Sequence, residues 1–516
     1  PTQAIPFFEQ ALRLKPDLVD SFVYLAECCR GLSDYGTAAA LLDHAAAIAP
    51  DQSWLRIALL WARMHACDWR PLGAALRDDL SRCIATGSSF SPFIVMALGL
   101  PNHETLLWTR AWTEANLPRA PAALGRPAPE AGRERIRVGY LSADFRGHAT
   151  AVLVMGLFEL HDRGRFEIFG YNIGRGDGSA MGERMTAALD RFVDLSFLGD
   201  RDAAQRIADD RIDVLVDLKG FTTDSRPAIL SYRPAPIQVN YLGFPGTMGT
   251  PHVDYVVVDE TVAPFEHQPF YDERIVHLPH CYQPNDRDRA GADPGARRAD
   301  HGLPEPGFVF CCFNNTYKIT PLVFDIWMRL LRAVEGSVLW LFEANAQAHA
   351  NLLREAAERG IDPRRLVFAP RLGYAQHMAR LGLADLFLDT LPVNAHTTAS
   401  DALWAGVPVL TMLGPLFAGR VAASLNRAVG LPDLVVDSFA AYEAEALALA
   451  RDPARLGALR GRLAANRMTA PLFDSPRYAR DFEAALERMV AIHDAGGAPE
   501  AFAVEDGSEP VNELPS

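Results

Sequence analysis

"DLFLDTLPVNAHTTASDALWAGVPVLTM", residues 385–412, carries the pattern that decides the fold. DLFLDT is a short apolar run of strand composition, TTASDALWAG has the spacing of a helix closed by Gly406, and VPVLTM is a second apolar run. Strand, helix and strand in that order belong to a parallel sheet covered by helices, and such sheets bind ligands at the carboxyl ends of their strands. His396, Thr397 and Thr398 therefore stand where a strand gives way to a helix. The backbone N–H groups and macrodipole of a helix start attract an anion, and hydroxyls add hydrogen bonds to it. Asp401, a turn further on, is within reach of ligand hydroxyls beside bound phosphates. Plain capping, with Thr397 as N-cap and Asp401 as a first-turn acid, accounts for two of these residues but not for the whole run.

The same alternation extends outward. FVFCCF, SVLWLF and RLVFAP precede the quoted stretch, DLVVD follows it, and helical text lies between them. An earlier series, IRVGYLS, FEIFGYNI, IDVLVDL, PIQVNYLGF, VDYVVVD and RIVHLP, repeats the grammar. The expected fold class is α/β, two doubly wound Rossmann-like domains at 136–282 and 308–475, separated by a linker at 283–307. A long amphipathic helix at 476–495 is expected to cross between domains, and an acidic tail at 496–516 to be disordered. Upstream, AIPFFEQALRLKPD from Ala4 and AAALLDHAAAIAPD from Ala38 align at an offset of 34, the tetratricopeptide period. Residues 1–120 are thus expected to be a helical repeat region, truncated at its N-terminus and continued by WLRIALLWARM at 54–64, with a Pro- and Gly-rich linker at 121–135.

Bulk properties limit the function classes. The 516 residues suffice for about three domains. Acidic residues outnumber basic ones by 64 to 50, a net charge of −14, which disfavours a general grip on nucleic acid or an anionic membrane. Seven cysteines without a CxxC pair or disulfide ladder suggest a reducing, cytoplasmic setting. No apolar run reaches the roughly 20 residues that span a bilayer. No GxSxG, HExxH, Walker A or GxGxxG signature is found, and the Asp200-Arg201-Asp202 and Asp286-Arg287-Asp288 pairs read as solvated charge rather than metal ligands.

Other strand-to-helix loops carry candidate chemistry. His148, after RVGYLSADF, is a candidate proton acceptor or a helix cap. VNYLGFPGTMG brings Gly243 and Pro245 to a loop where backbone can approach a ligand. Only three lysines occur, and one of them, Lys318, ends FVFCCFNNTYK where a point charge suits a phosphate. His377 and Arg380 share a helix face and suit a nucleotide base. Together these loops are expected to line one crevice.

The repeats followed by RVGYLSADFRGH, RPAPIQVNYLGFPGTMG, FCCFNNTYKI, the quoted stretch and RVAASLN resemble the protein O-GlcNAc transferase and SPINDLY-like family, in a bacterial form. The resemblance covers nearly the whole chain and implies a GT-B core. It also implies inverting, metal-independent transfer of N-acetylglucosamine from UDP-GlcNAc to serine or threonine hydroxyls of proteins, without a cofactor. Acceptors would lie along the repeats and the crevice, with neither nucleic acid nor membrane as partner. By motif, His148 and Lys318 would be catalytic. Asn315, Tyr317, Lys318, Leu372, His377, Arg380, His396, Thr397, Thr398 and Asp401 would hold the nucleotide sugar, while Thr222, Leu242, Gly243 and Pro245, with Tyr317 beside them, would line the sugar or acceptor pocket. Asn315, Lys219 and Tyr374 stand where the animal enzymes carry glutamine, asparagine and lysine. A GDP-fucose-dependent protein O-fucosyltransferase, or a catalytically silent repeat scaffold, would share this architecture.

Overall fold

The structure, a computed structural model, describes residues 2–70, 76–86, 90–118, 124 and 134–507. Most of the expected 121–135 linker, and 508–516 of the expected tail, lie outside the described residues. The chain divides into two compact units, neither continuous in sequence. The first comprises Pro1–Pro101, Ala290–Ala423 and Leu431–Ala464, the second Asn102–Arg289, Ser424–Gly430 and Ala465–Ser516.

Seven strands come first: β1 (Ile136–Ser142), β2 (Phe166–Asn172), β3 (Arg191–Asp194), β4 (Val214–Asp217), β5 (Ile237–Tyr241), β6 (Tyr255–Asp259) and β7 (Arg274–Leu278). Six follow: β8 (Val309–Cys312), β9 (Val338–Phe342), β10 (Leu366–Ala369), β11 (Leu386–Leu388), β12 (Val409–Met412) and β13 (Val435–Val436). The last is β14 (Phe502–Ala503). The second unit holds a sheet of order β14-β7-β6-β5-β4-β1-β2-β3, the first a sheet of order β10-β9-β8-β11-β12-β13. Every pairing is parallel. β2, β4, β5 and β6 are buried along their whole length, as sheets covered on both faces require, and this is why they read as continuous apolar runs.

Two strands escape sequence reading. β3 is an edge strand whose side chains are mostly exposed, so it shows no apolar run. β14 is two residues long and pairs with the β7 edge, placing ordered structure within the tail expected to be disordered. Backbone pairing to an existing edge needs little local propensity.

In the first unit, helices Ile5–Leu14, Val19–Gly31, Tyr35–Ile48 and Ser53–His65 pack in succession. Ala26, Ala38, Leu42, Ala58 and Ala62 form a core shared by the last three of these helices, where the four alanines let helix axes approach closely. The expected separate helical region at 1–120 is not a body of its own. Its first 101 residues belong to the unit of the β8–β13 sheet, where His65 O accepts from Thr316 Oγ1 at 2.7 Å and from Asn345 Nδ2 at 2.9 Å. The helix Asn102–Asn116 belongs to the other unit, where Thr113 Oγ1 donates to Gly249 O at 2.8 Å. A few helices cannot bury both their faces against one another, so they bury them against sheet loops.

The expected linker at 283–307 also differs. Gln283, Asn285, Asp286 and Arg289 are buried, and Asp286, read as solvated, accepts from Arg184 Nη1 at 2.7 Å. Within the second unit, helix Ser475–Asp494 is capped by Asp474, which accepts from Arg477 N at 3.1 Å, and it packs on helix Ala149–Leu160 and on β5 and β7.

Candidate functional site

In the first unit the strand order reverses between β8 and β11, so the loops after these two strands flank the switch point where doubly wound sheets bind ligands. Lys318 lies in the β8 loop, and its Nζ donates to Asn394 O, in the β11 loop, at 2.7 Å. Burial lowers the ammonium to about 8, against an upward pull from Asp389. Asn314 ties the two loops together. Its Oδ1 accepts from Thr398 Oγ1 at 2.7 Å and its Nδ2 donates to Thr390 Oγ1 at 2.7 Å. Asp389, at the end of β11, accepts from Ala395 N and Thr411 Oγ1, both at 2.6 Å, and burial pushes its carboxyl up to about 6.

Helix Thr397–Trp404 begins at this point, with His396 rather than Thr397 as the N-cap residue and with no side chain capping it. The expected capping role of Thr397 thus passes to the backbone of His396, whose carbonyl accepts from Ala399 N and Ser400 N at 3.0 and 3.2 Å. The His396 ring contacts Ala418 O through Nε2 at 3.2 Å, and burial, with Lys318 nearby, lowers it to about 3. The ring is neutral, and that contact puts its proton on Nε2. Asp401 is buried and accepts from Tyr374 OH at 2.9 Å. Gly406 closes the helix at φ 85°, the left-handed conformation expected of it.

The helix after β10, Tyr374–Leu381, carries His377 and Arg380. His377 meets the Phe313 ring edge-on at 5.0 Å and is lowered to about 4 by burial and by Arg380. Arg380 departs from the expectation of an open partner to His377. It is 2% exposed, lies over the Phe313 and Trp340 rings, and donates through Nη2 to Pro370 O at 2.8 Å. Its Nε and Nη1 are buried without an acceptor. Leu372 is exposed, as is Asn315, whose carbonyl accepts from Lys318 N at 3.0 Å. Tyr317 is buried among Trp61, His65 and Phe93, with Trp61 centred 4.9 Å away. An aromatic core fixes the turn that carries Lys318.

In the second unit the order reverses between β1 and β4, and the loops after them hold His148 and Thr222. His148 stands at the N-cap of helix Ala149–Leu160, with its Nδ1 3.2 Å from Thr150 N. The same Nδ1 lies 3.2 Å from Asp144 Oδ2, and burial lowers the imidazole below its ordinary value. Asp217, at the end of β4, accepts from Lys219 N and Gly220 N, and Thr222 Oγ1 donates to Lys219 O at 2.8 Å, closing the turn. After β5, Leu242 has φ 67° and Gly243 N donates back to Tyr241 O at 2.8 Å. A non-glycine residue in that conformation stores strain of the kind found at binding loops. A Cβ at Gly243 would meet Leu218 O at 2.0 Å, so only glycine fits. Pro245 is buried beside it.

Sequence reading placed Asn314 in the Lys318 loop without a role and passed over Asp389, Asn394 and Asp144. Each acts through a loop from another strand, and the only local signal was a polar residue directly after an apolar run. Among the described residues no group of three His, Cys, Asp or Glu side chains could hold a metal ion, and no helix is long and apolar enough to cross a membrane.

Residues 122–290 and 295–482 match the sequence model of glycosyl transferase family 41. The chain is 39% identical over 381 residues to a probable UDP-N-acetylglucosamine–peptide N-acetylglucosaminyltransferase, SEC, of Arabidopsis thaliana, covering 73% of this chain and 39% of that one. It is 28% identical over 475 residues to the UDP-N-acetylglucosamine–peptide N-acetylglucosaminyltransferase of Caenorhabditis elegans, covering 70% and 41%. The chain thus spans about two fifths of the length of these curated relatives. A solved mutant O-GlcNAc transferase from Thermobaculum terrenum superposes with a TM-score of 0.77 at 28% identity over 95% of both chains.

Proposed function

Since the chain belongs to glycosyl transferase family 41, we propose that it transfers N-acetylglucosamine from UDP-GlcNAc to serine or threonine hydroxyls of proteins. The observation that carries this reading is the seat of Lys318, its ammonium against Asn394 O at the mouth of helix Thr397–Trp404. A fixed cation beside a helix N-terminus is built for a diphosphate, and it stabilises charge that grows on the leaving group as the glycosidic bond breaks. Thr397 supplies its hydroxyl to the same phosphates, and Thr398, whose hydroxyl donates to Asn314 Oδ1, supplies its backbone N–H. Asp401, oriented by Tyr374, takes ribose hydroxyls, and His396 sits by the sugar and phosphates.

The uracil falls to His377 and Arg380, with Leu372 and Asn315 at the margin. His148 accepts the hydroxyl proton of the acceptor, and Thr222, Leu242, Gly243 and Pro245 shape the pocket around sugar and acceptor. Leaving-group charge is met by Lys318 and backbone N–H groups in this reading, so transfer proceeds without a metal. Protein acceptors are the partners, with the helical repeats as their extended support.

Calorimetric titration with UDP and with GDP, each with and without EDTA, tests the reading. UDP binding that survives EDTA, with GDP much weaker, is the expected result. A preference for GDP would transfer the reading to a fucose donor, and binding of neither would remove the transferase assignment.

A further inference from the structure

Lys219, in the turn after β4, is 3% exposed, and its Nζ lies 2.6 Å from Oδ2 of Asp144, itself 1% exposed in the loop after β1. Burying an ammonium is costly, and closing a turn does not require one. The same Asp144 oxygen lies 3.2 Å from His148 Nδ1. That ring nitrogen also faces Thr150 N–H at 3.2 Å, so a donor and an acceptor compete for it. A neutral imidazole carries one ring proton. With Nδ1 accepting from Thr150, the proton sits on Nε2 and the ring can only donate there. With Nδ1 donating to Asp144, Nε2 is bare and can accept.

We infer that Lys219 is a positioning residue for His148, acting through Asp144: its ammonium holds the carboxylate aimed at Nδ1, so that the neutral imidazole presents a bare Nε2. The inference rests on the reading of His148 as proton acceptor. Lys219 has a second effect of the same sign. The groups facing the imidazole are Asp144 and Arg146 from its own loop and Lys219 and Asp224 from the β4 loop. Arg146 Nη2 reaches both Asp144 and Asp224 at 3.4 Å, and Asp177 accepts from Gly147 N at 3.0 Å. The two carboxylates favour imidazolium, whereas Lys219, Arg146 and burial oppose it. Without Lys219 the buried partner of Asp144 is gone and Arg146, at 3.4 Å, is left to offset its charge, so the balance moves toward imidazolium, and a protonated ring has no lone pair to offer.

The test is nitrogen NMR of the full chain labelled with 15N-histidine, followed across pH, with the His148 signals identified by their loss in His148→Asn. The neutral ring of the unsubstituted protein is expected to carry its proton on Nδ1. Lys219→Met should raise the His148 midpoint by on the order of one pH unit, and with it the acid limb of the pH–rate profile, whereas Lys219→Arg should restore both. Should Lys219→Met not fold, Asp144→Leu with Lys219→Met leaves no buried ion and only Thr150 N–H facing Nδ1. The ring proton should then move to Nε2. A proton on Nε2 in the unsubstituted protein, an unmoved midpoint in Lys219→Met, or an Nδ1 proton retained in the double variant overturns the inference. Transfer retained by His148→Asn would instead defeat the proton-acceptor reading without altering the tautomer readout.

Discussion

At the scale of single residues, Lys318 and Asp401 make the sharpest claims. If Lys318 meets the leaving group as proposed, Lys318→Ala should lower turnover about 10²- to 10³-fold, while the thermal midpoint hardly moves. Because burial lowers the Lys318 ammonium to about 8, its charge is present below that pH and lost above it. The kcat/KM profile of the free enzyme should therefore fall as pH rises through about 8, and Lys318→Arg should push that limb out of range at a reduced rate. A profile flat to pH 10 in the unsubstituted protein would deny Lys318 this role. Asp401→Asn keeps the shape but weakens a charged acceptor, so UDP affinity should drop roughly tenfold, about 1.4 kcal/mol, by calorimetry.

At the scale of elements, loops after strands are held by carboxylates from elsewhere. Glu273, fully buried at the start of β7's approach, accepts from Thr247 Oγ1 and Met248 N and so pins the loop that begins at Leu242. Burial raises its carboxyl from 4.5 to about 7. A group raised on folding contributes stability that is complete below its unfolded value and lost as pH rises through the folded one. Stability should thus decline between about pH 4.5 and 7 by an amount that Glu273→Gln abolishes, as urea denaturation at pH 5 and pH 8 would show. Equal pH dependence in both proteins would acquit Glu273. Likewise Thr316→Val, which breaks the hydrogen bond to His65 O, should cost about 1 kcal/mol and lower turnover, since it loosens the turn bearing Lys318.

At the scale of the whole molecule, the first 101 residues share a compact unit with the β8–β13 sheet. A chain beginning at residue 102 should therefore lose UDP binding, because Tyr317 is stripped of Trp61, His65 and Phe93. Undiminished UDP affinity in that truncation would refute the dependence. The α/β class, twelve of the strands, the N-terminal helices and the start of helix Thr397–Trp404 were legible in the sequence, because apolar period and turn chemistry reside in consecutive residues. Edge strands β3 and β14 were not, since an edge needs only backbone pairing. Nor could sequence reveal that Arg380 is buried over Phe313, that Asp286 is paired with Arg184, or that Tyr317 packs on the helical repeats. The sequence by itself determined the interior strands and the helices between them. Only the tertiary structure decided what the loops between them touch, because Lys219 and Asp144 are 75 residues apart and Thr316 and His65 are 251 apart; the first pairing follows from strand order, the second from the packing of helix Ser53–His65 on the turn at Thr316.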